Sequence, residues 1–243
     1  VGVPRFNLDQ LDRMRETCQK PGFRGFLRPT ADNPLHVKLE ANPNGFVRIW
    51  QPPKTHRTYV IGGDSAEGVE GGDYLSAHVL DRETEDITAA WHGHCEPETF
   101  ADELAKLGYL YNRALIGVES YPSAHGLATL TKLRGLNSPR IFYSRSIEVR
   151  GRTQDRIGWR NTPRNKPLMI DGIGKHLERQ LGEPDPVILD ADLVGELQTY
   201  GVMENGSTEA QAGCYDDRVV SYGVALLMAK TAGLSRHFPS LNK

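Results

Sequence analysis

Three acidic positions constrain this chain more than anything else in it: Asp64, Glu119 and the pair Asp216-Asp217. Asp64 closes the run Tyr59-Val60-Ile61-Gly62-Gly63, and Glu119 closes Leu115-Ile116-Gly117-Val118. Short apolar runs with a polar stop are the pattern of strands buried on both faces. The acidic pair opens a helical stretch from Arg218 to Lys230. A carboxylate at the end of a buried strand is costly unless a cation offsets its charge, and a divalent metal ion is the usual one. The pattern calls for an α/β fold in which two strand ends and one helix start meet. Such a site offers oxygen ligands to hard cations, and two ions held there would suit phosphodiester hydrolysis.

Each position also has an ordinary explanation. Asp64 could open an Asx turn, and Glu119 could pair with a basic side chain. Asp216-Asp217 could cap the last helix and complement its dipole. One acid suffices for a cap, so with Asp216 in that role Asp217 is left for another task; which of the two is the principal ligand stays open. Asp73 is a further acid that could serve the site or merely start a strand.

Patterning around these residues supplies an order of elements. Strands are expected over 58–63, 74–80 and 86–91, the first two separated by a Gly-rich turn over 68–72. A helix over 97–112 follows, with Phe100, Leu104, Leu107 and Tyr111 at helical spacing, then a strand over 114–118 and a helix over 124–133. Next come a strand over 140–143, a helix over 167–180, a strand over 187–189 and a helix capped by Asp192. Asn205-Gly206 marks a tight hairpin between 200–204 and 207–211. This βββαβαβα order is that of the RNase H-like fold: a central mixed sheet, three antiparallel strands then parallel ones, flanked by helices. Residues 1–56 are punctuated by Pro21-Gly22, Pro29, Pro34 and Pro52-Pro53, with one helix over 8–19 capped by Asn7 and one strand over 45–50. They read as a connector wrapped on the main domain. The expected partition is 1–56, a main domain over 57–235 and a tail over 236–243.

Composition removes several classes. No apolar stretch approaches the ~18 residues of a membrane span, and Val1-Gly2-Val3-Pro4-Arg5 is neither a signal peptide nor an initiator-methionine start, so a piece of a longer polypeptide is expected. The formal net charge of −2 excludes a uniformly basic nucleic-acid binder, so affinity for DNA must be local. One segment supplies it. Arg140, Arg145, Arg150, Arg152, Arg156, Arg160, Arg164 and Lys166 face only Glu148 and Asp155, a net of +6. A basic hairpin over 147–160, anchored by Trp159, is expected to track phosphates, with Lys166 placed to neutralise one. Cys18, Cys95 and Cys214 are scattered and read as reduced thiols in a cytoplasmic setting. His92-Gly93-His94-Cys95 lacks a second ligand pair and reads as a strand end, not a zinc site. No G-x-S-x-G or Cys-His setting offers a nucleophilic side chain.

Taken together, four stretches resemble the C-terminal nuclease domain of phage terminase large subunits. They are Tyr59 to Gly68 with Gly72-Asp73-Tyr74, Gly117-Val118-Glu119, Gly158-Trp159-Arg160-Asn161-Thr162 with Lys166-Pro167, and Tyr215-Asp216-Asp217-Arg218-Val219. Tyr215 stands where that family often has histidine. The resemblance implies an endonuclease that cuts concatemeric viral double-stranded DNA during genome packaging, with weak sequence preference and two Mg²⁺ or Mn²⁺ ions. It implies Asp64, Glu119 and Asp217 as catalytic acids, and Asp216 with them as metal ligands. Arg145, Arg150, Arg152, Arg156, Arg160 and Lys166 are the DNA-binding candidates. Implied partners are an N-terminal ATPase domain of the same polypeptide, the portal protein and the small terminase subunit, in the host cytoplasm and with no membrane. No G-x-x-x-x-G-K-[ST] occurs, so the ATPase half is expected outside this sequence. A Holliday-junction resolvase or another RNase H-like nuclease is the rival enzyme, and a DNA-docking module of a packaging motor the non-enzymatic alternative.

Overall fold

The computed structural model describes residues 2–33, 36–65, 74–136, 139–147, 153–178 and 187–231. The first elements are β1 (Val3–Pro4), α1 (Leu8–Thr17), β2 (Phe23–Pro29), β3 (Val37–Ala41) and β4 (Val47–Ile49). The centre is built by β5 (Tyr59–Asp64), β6 (Leu75–Asp81), β7 (Ile87–Gly93), α2 (Pro97–Leu110), β8 (Leu115–Tyr121) and α3 (Ala124–Gly135). Then follow β9 (Arg140–Ile141), β10 (Tyr143–Ile147), β11 (Thr153–Ile157), β12 (Trp159–Arg160) and α4 (Lys166–Leu177). The chain closes with α5 (Ala191–Thr199), β13 (Tyr200–Val202), β14 (Thr208–Ala210) and α6 (Asp217–Thr231).

The main sheet has the order β12-β8-β5-β6-β7-β4-β2-β3, with β9 also paired to β8. β5, β6 and β7 are antiparallel neighbours, whereas β8 runs parallel to β5, and β9 and β12 run parallel to β8. This is the mixed sheet of the RNase H-like fold. Every residue of β5 and β6 is buried because helices cover both faces. On one face, Phe100, Leu104 and Leu107 of α2 join Ile61, Val79 and Trp91. On the other, Val224 of α6, Ile170 of α4 and Leu193 of α5 join Val60 and Leu80.

The segment before residue 57 departs from the expected wrapping connector. β4 pairs antiparallel with β7, and β2 and β3 extend the sheet beyond it. Helix α1 forms as its cap predicts, with the Asn7 side chain accepting the Gln10 N–H, and buries Leu11 and Met14 in the α6-side core. β2 and β3 escape sequence reading because much of each strand is solvent-facing and proline closes the first. The expected strand over 187–189 joins no ladder; Ile188 and Leu189 are simply buried, and Leu189 C=O accepts the Gln19 N–H. The cap of α5 is Asp190, which accepts the Asp192 N–H, and Asp192 sits in the first turn. Asn205-Gly206 does turn the hairpin between β13 and β14, which pairs with β1 in a separate small sheet. Among the described residues no helix is long and apolar enough to cross a membrane. The Gly-rich turn over 68–72, Asp73, Arg150, Arg152, the end of the helix expected to reach residue 180 and the tail over 236–243 lie outside the described residues.

Candidate metal centre

The parallel pairing of β5 with β8 sets Gly63 opposite Val118, so Asp64 and Glu119 are the next residues on adjacent strands. Helix α6 then lies against β5 because Gly62 has no side chain. A Cβ there would stand 2.2 Å from the Ser221 carbonyl oxygen and 2.3 Å from the Ala225 nitrogen. This contact brings the first turn of α6, with Asp217, over the strand ends. The result is a cavity of about 340 Å³ that Asp64, Glu119, Asp216, Asp217, Asn161 and Lys166 line together with Ser65. Asp64 and Glu119 are each 7% exposed and Asp217 is 4% exposed.

Crowded acids in a poorly solvated cleft hold protons. Burial first, then the charge of Glu119, raises the Asp64 carboxyl well above the usual carboxylate range, with Asp217 and Asp216 adding to the effect. Burial raises Glu119 as well, against the opposing pull of Asp64, Asn161 and the Lys166 charge. Burial thus disfavours the charged form of both carboxyls, and a proton held there offsets the crowding.

The donor set suits a hard divalent cation, which would replace that proton. Among the described residues, no group of three or more His, Cys, Asp and Glu side chains is drawn together as a site that could hold a metal ion. What the cleft does provide is oxygen: the carboxylates, plus Ser65 Oγ and Asn161 Oδ1, both buried with no hydrogen-bond partner. Oxygen donors around a shared space are the ligands that Mg²⁺ and Mn²⁺ prefer.

The start of α6 is held from outside the cleft by residues the sequence reading passed over. Glu196 of α5 accepts the Arg218 backbone N–H at 2.8 Å and its Nη1 at 2.5 Å. Arg48 of β4 donates to Asp192 at 2.7 Å, and Arg218 Nη2 reaches the same carboxylate at 3.4 Å. One turn on, buried Ser221 bonds Ser76 at 3.0 Å and His78 Nδ1 at 2.8 Å. His78 Nε2 lies 3.6 Å from Asp190, too far for a hydrogen bond, and burial holds the ring neutral by lowering its pKa. These partners lie 22 to 145 residues apart in the chain, which no local pattern could reveal.

The basic candidates divide by position. Lys166 lines the cleft at the start of α4. Arg160 sits on β12, in register with Tyr121, its guanidinium 4.6 Å from that ring's centroid. A hairpin does form, but as β10 and β11 over 143–157 and not 147–160; in its backbone register Arg156 lies opposite Ser144 and Arg145 opposite Asp155, while Trp159 and Arg160 fall on β12. Trp159 is 8% exposed and anchors β12 beside Glu119. His92, on β7, stacks on Tyr74 at 4.5 Å, and burial lowers its pKa to about 3.

Solved structures with this architecture exist. The large terminase nuclease from thermophilic phage G20c with bound magnesium superimposes with a TM-score of 0.58 at 15% identity, over 89% of this chain and 96% of that one. The cobalt-bound form of the same nuclease gives 0.57 at 16% identity, over 79% and 93%. The large terminase nuclease domain of Thermus phage P74-26 gives 0.56 at 15% identity, over 90% and 94%. No protein-family profile matches the chain, and no curated protein matches it. The chain therefore shares its fold with large terminase nucleases at 15–16% sequence identity.

Proposed function

We propose that the chain is the nuclease of a phage DNA-packaging motor, a divalent-metal-dependent endonuclease acting on double-stranded DNA. The observation that carries this reading is the gathering of Asp64, Glu119, Asp216 and Asp217 in one cleft of an RNase H-like fold. Its support is the bound magnesium and cobalt of the similar terminase nucleases. Asp64, Glu119 and Asp217, with Asp216, would hold two Mg²⁺ or Mn²⁺ ions. Such ions supply an activated water and stabilise the leaving oxygen of the phosphodiester.

The remaining work falls to side chains around the acids. Lys166 meets the negative phosphate at the cleft, where its charge already acts on Glu119. Asn161 lines the same cleft and favours the charged form of the Glu119 carboxylate. Arg145, Arg150, Arg152, Arg156 and Arg160 run along the backbone of the duplex and carry no base readout. The low sequence preference follows. The ATPase domain, portal protein and small terminase subunit would then deliver DNA to the site.

Supercoiled plasmid incubated with Mn²⁺ tests the proposal. Nicked and linear products are expected, and EDTA or Asp64→Asn should abolish them. No metal-dependent cutting at protein excess would leave a DNA-docking module. A strong preference for branched DNA over plasmid would instead mark a junction resolvase.

A further inference from the structure

Two tyrosines stand half out of the protein on either side of the carboxylate cleft. Tyr121 is 43% exposed and Tyr215 is 46% exposed. Sheet order puts β8 on one flank of β5 and β6 with β7 on the other. On β8, a Cβ at Gly117 would meet Met228 of α6, so Glu119, two residues on, shares the α6 face, and beyond it the ladder shifts register to bring Tyr121 opposite Arg160. Tyr121 therefore lies one strand step beyond Glu119, covered by the Arg160 guanidinium. On the far flank, Tyr215 directly precedes the acidic pair. Its ring meets Tyr74 edge to face at 5.6 Å, and Tyr74 is itself stacked on His92 at 4.5 Å and tilted against His94 at 3.9 Å. Each exposed ring is thus braced, one by a guanidinium and one by a cluster of three rings, which lowers the entropy lost on binding.

Intact duplex DNA makes poor use of such rings, because its base faces are covered by their neighbours and only sugar and phosphate meet the protein. Unpaired bases expose those faces, and aromatic or guanidinium planes are what they stack on. We propose that Tyr121 with Arg160, and Tyr215 on its ring cluster, are platforms for nucleobases unstacked on the two sides of the scissile phosphate. The preferred substrate is then DNA locally opened at the cut. This inference rests on the nuclease reading of the cleft, and it adds a requirement that the metal site alone does not impose. Opening a paired stretch costs energy that a bulge or single strand has already spent.

Fluorescence anisotropy in EDTA tests it, with one labelled oligonucleotide presented single-stranded, fully paired, or paired around a short central bulge. Wild type should bind the opened forms several-fold more tightly than the paired one. Tyr121→Ala and Tyr215→Ala should each weaken binding to opened DNA about tenfold while changing duplex affinity little. Tyr121→Phe and Tyr215→Phe should retain the preference, since stacking needs the ring and not the hydroxyl. A wild type that shows no preference for opened DNA, or alanine variants that lose duplex and opened binding equally, overturns the proposal. Mn²⁺-dependent plasmid nicking by the same preparations reads the nuclease assignment separately. Nicking with no preference for opened DNA defeats only the platforms, and a preference without nicking defeats only the nuclease.

Discussion

Asp64 concentrates the electrostatic cost of the cleft, since burial and three other carboxylates all oppose its charge. Asp64→Asn, Glu119→Gln and Asp217→Asn are each expected to reduce metal-dependent cutting more than about a hundredfold, because even outer partners of metal ligands cost 10–100-fold. Plasmid nicking measures this, and retained activity in Asp216→Asn would leave Asp217 as the principal ligand. Folding should read the same cost with opposite sign. The folded state holds the Asp64 proton more tightly than the unfolded chain, so metal-free stability falls as pH rises from the ordinary value of 3.8 through the elevated one. Denaturation midpoints in EDTA should show Asp64→Asn losing that decline with rising pH. His92 works the other way. Its pKa falls from 6.5 to about 3, so the unfolded chain binds the proton first and stability is lost as pH drops below 6.5. His92→Gln should flatten the acid limb, and an unchanged slope would remove burial of the neutral ring as its cause.

Helix α6 reaches the cleft in a fixed pose because α5 grips its first turn. Glu196→Ala removes the acceptor of a backbone N–H and the main partner of the Arg218 guanidinium, at a cost of about 3 kcal/mol for the charge left behind. Glu196→Gln keeps an acceptor and should cost less. If the grip positions Asp216 and Asp217, both variants will need more Mn²⁺ for half-maximal nicking, in the same rank order as their urea midpoints. The β10–β11 hairpin makes a separable prediction. Replacing Arg150, Arg152 and Arg156 with alanine should weaken binding to all DNA sequences. It should also reduce the salt slope by up to about 0.9 per lost phosphate contact. Unchanged affinity and slope would mean that the basic run is only a solvated face.

At the scale of the whole molecule, an ion that binds only the folded cleft must stabilise the fold. Mn²⁺ at about a hundred times its Kd should add about 2.7 kcal/mol, read as a rise in Tm that Asp64→Asn and Glu119→Gln lose. The molecule carries a formal net charge of −2, so long-range attraction of DNA is weak outside the basic segment. Cutting by this chain alone is therefore expected to be slow and steeply dependent on protein concentration, with partners of a packaging motor needed to hold DNA in place. Turnover at low concentration equal to that of an assembled motor would exclude such positioning as the control.

The sequence by itself determined what depends on neighbours in the chain. Apolar runs placed Asp64 at the end of a buried strand and Glu119 on another, which runs on to Tyr121; Asn7 and Pro97 opened their helices, and Asn205-Gly206 turned its hairpin. Each rests on a local rule of period, capping or turn geometry. Tertiary structure decided everything that needed two distant segments to meet. β2 and β3 became strands by joining a sheet whose other members lie after residue 46, and the apolar run at 187–189 found no ladder to join. Arg218 could equally have answered Asp217; packing of α5 against α6 gave it to Glu196. The two exposed tyrosines came near the cleft only because β8 carries one past Glu119 and packing against Tyr74 holds the other. Side-chain partners across the sheet are chosen by packing, and the chain records that choice only once it is folded.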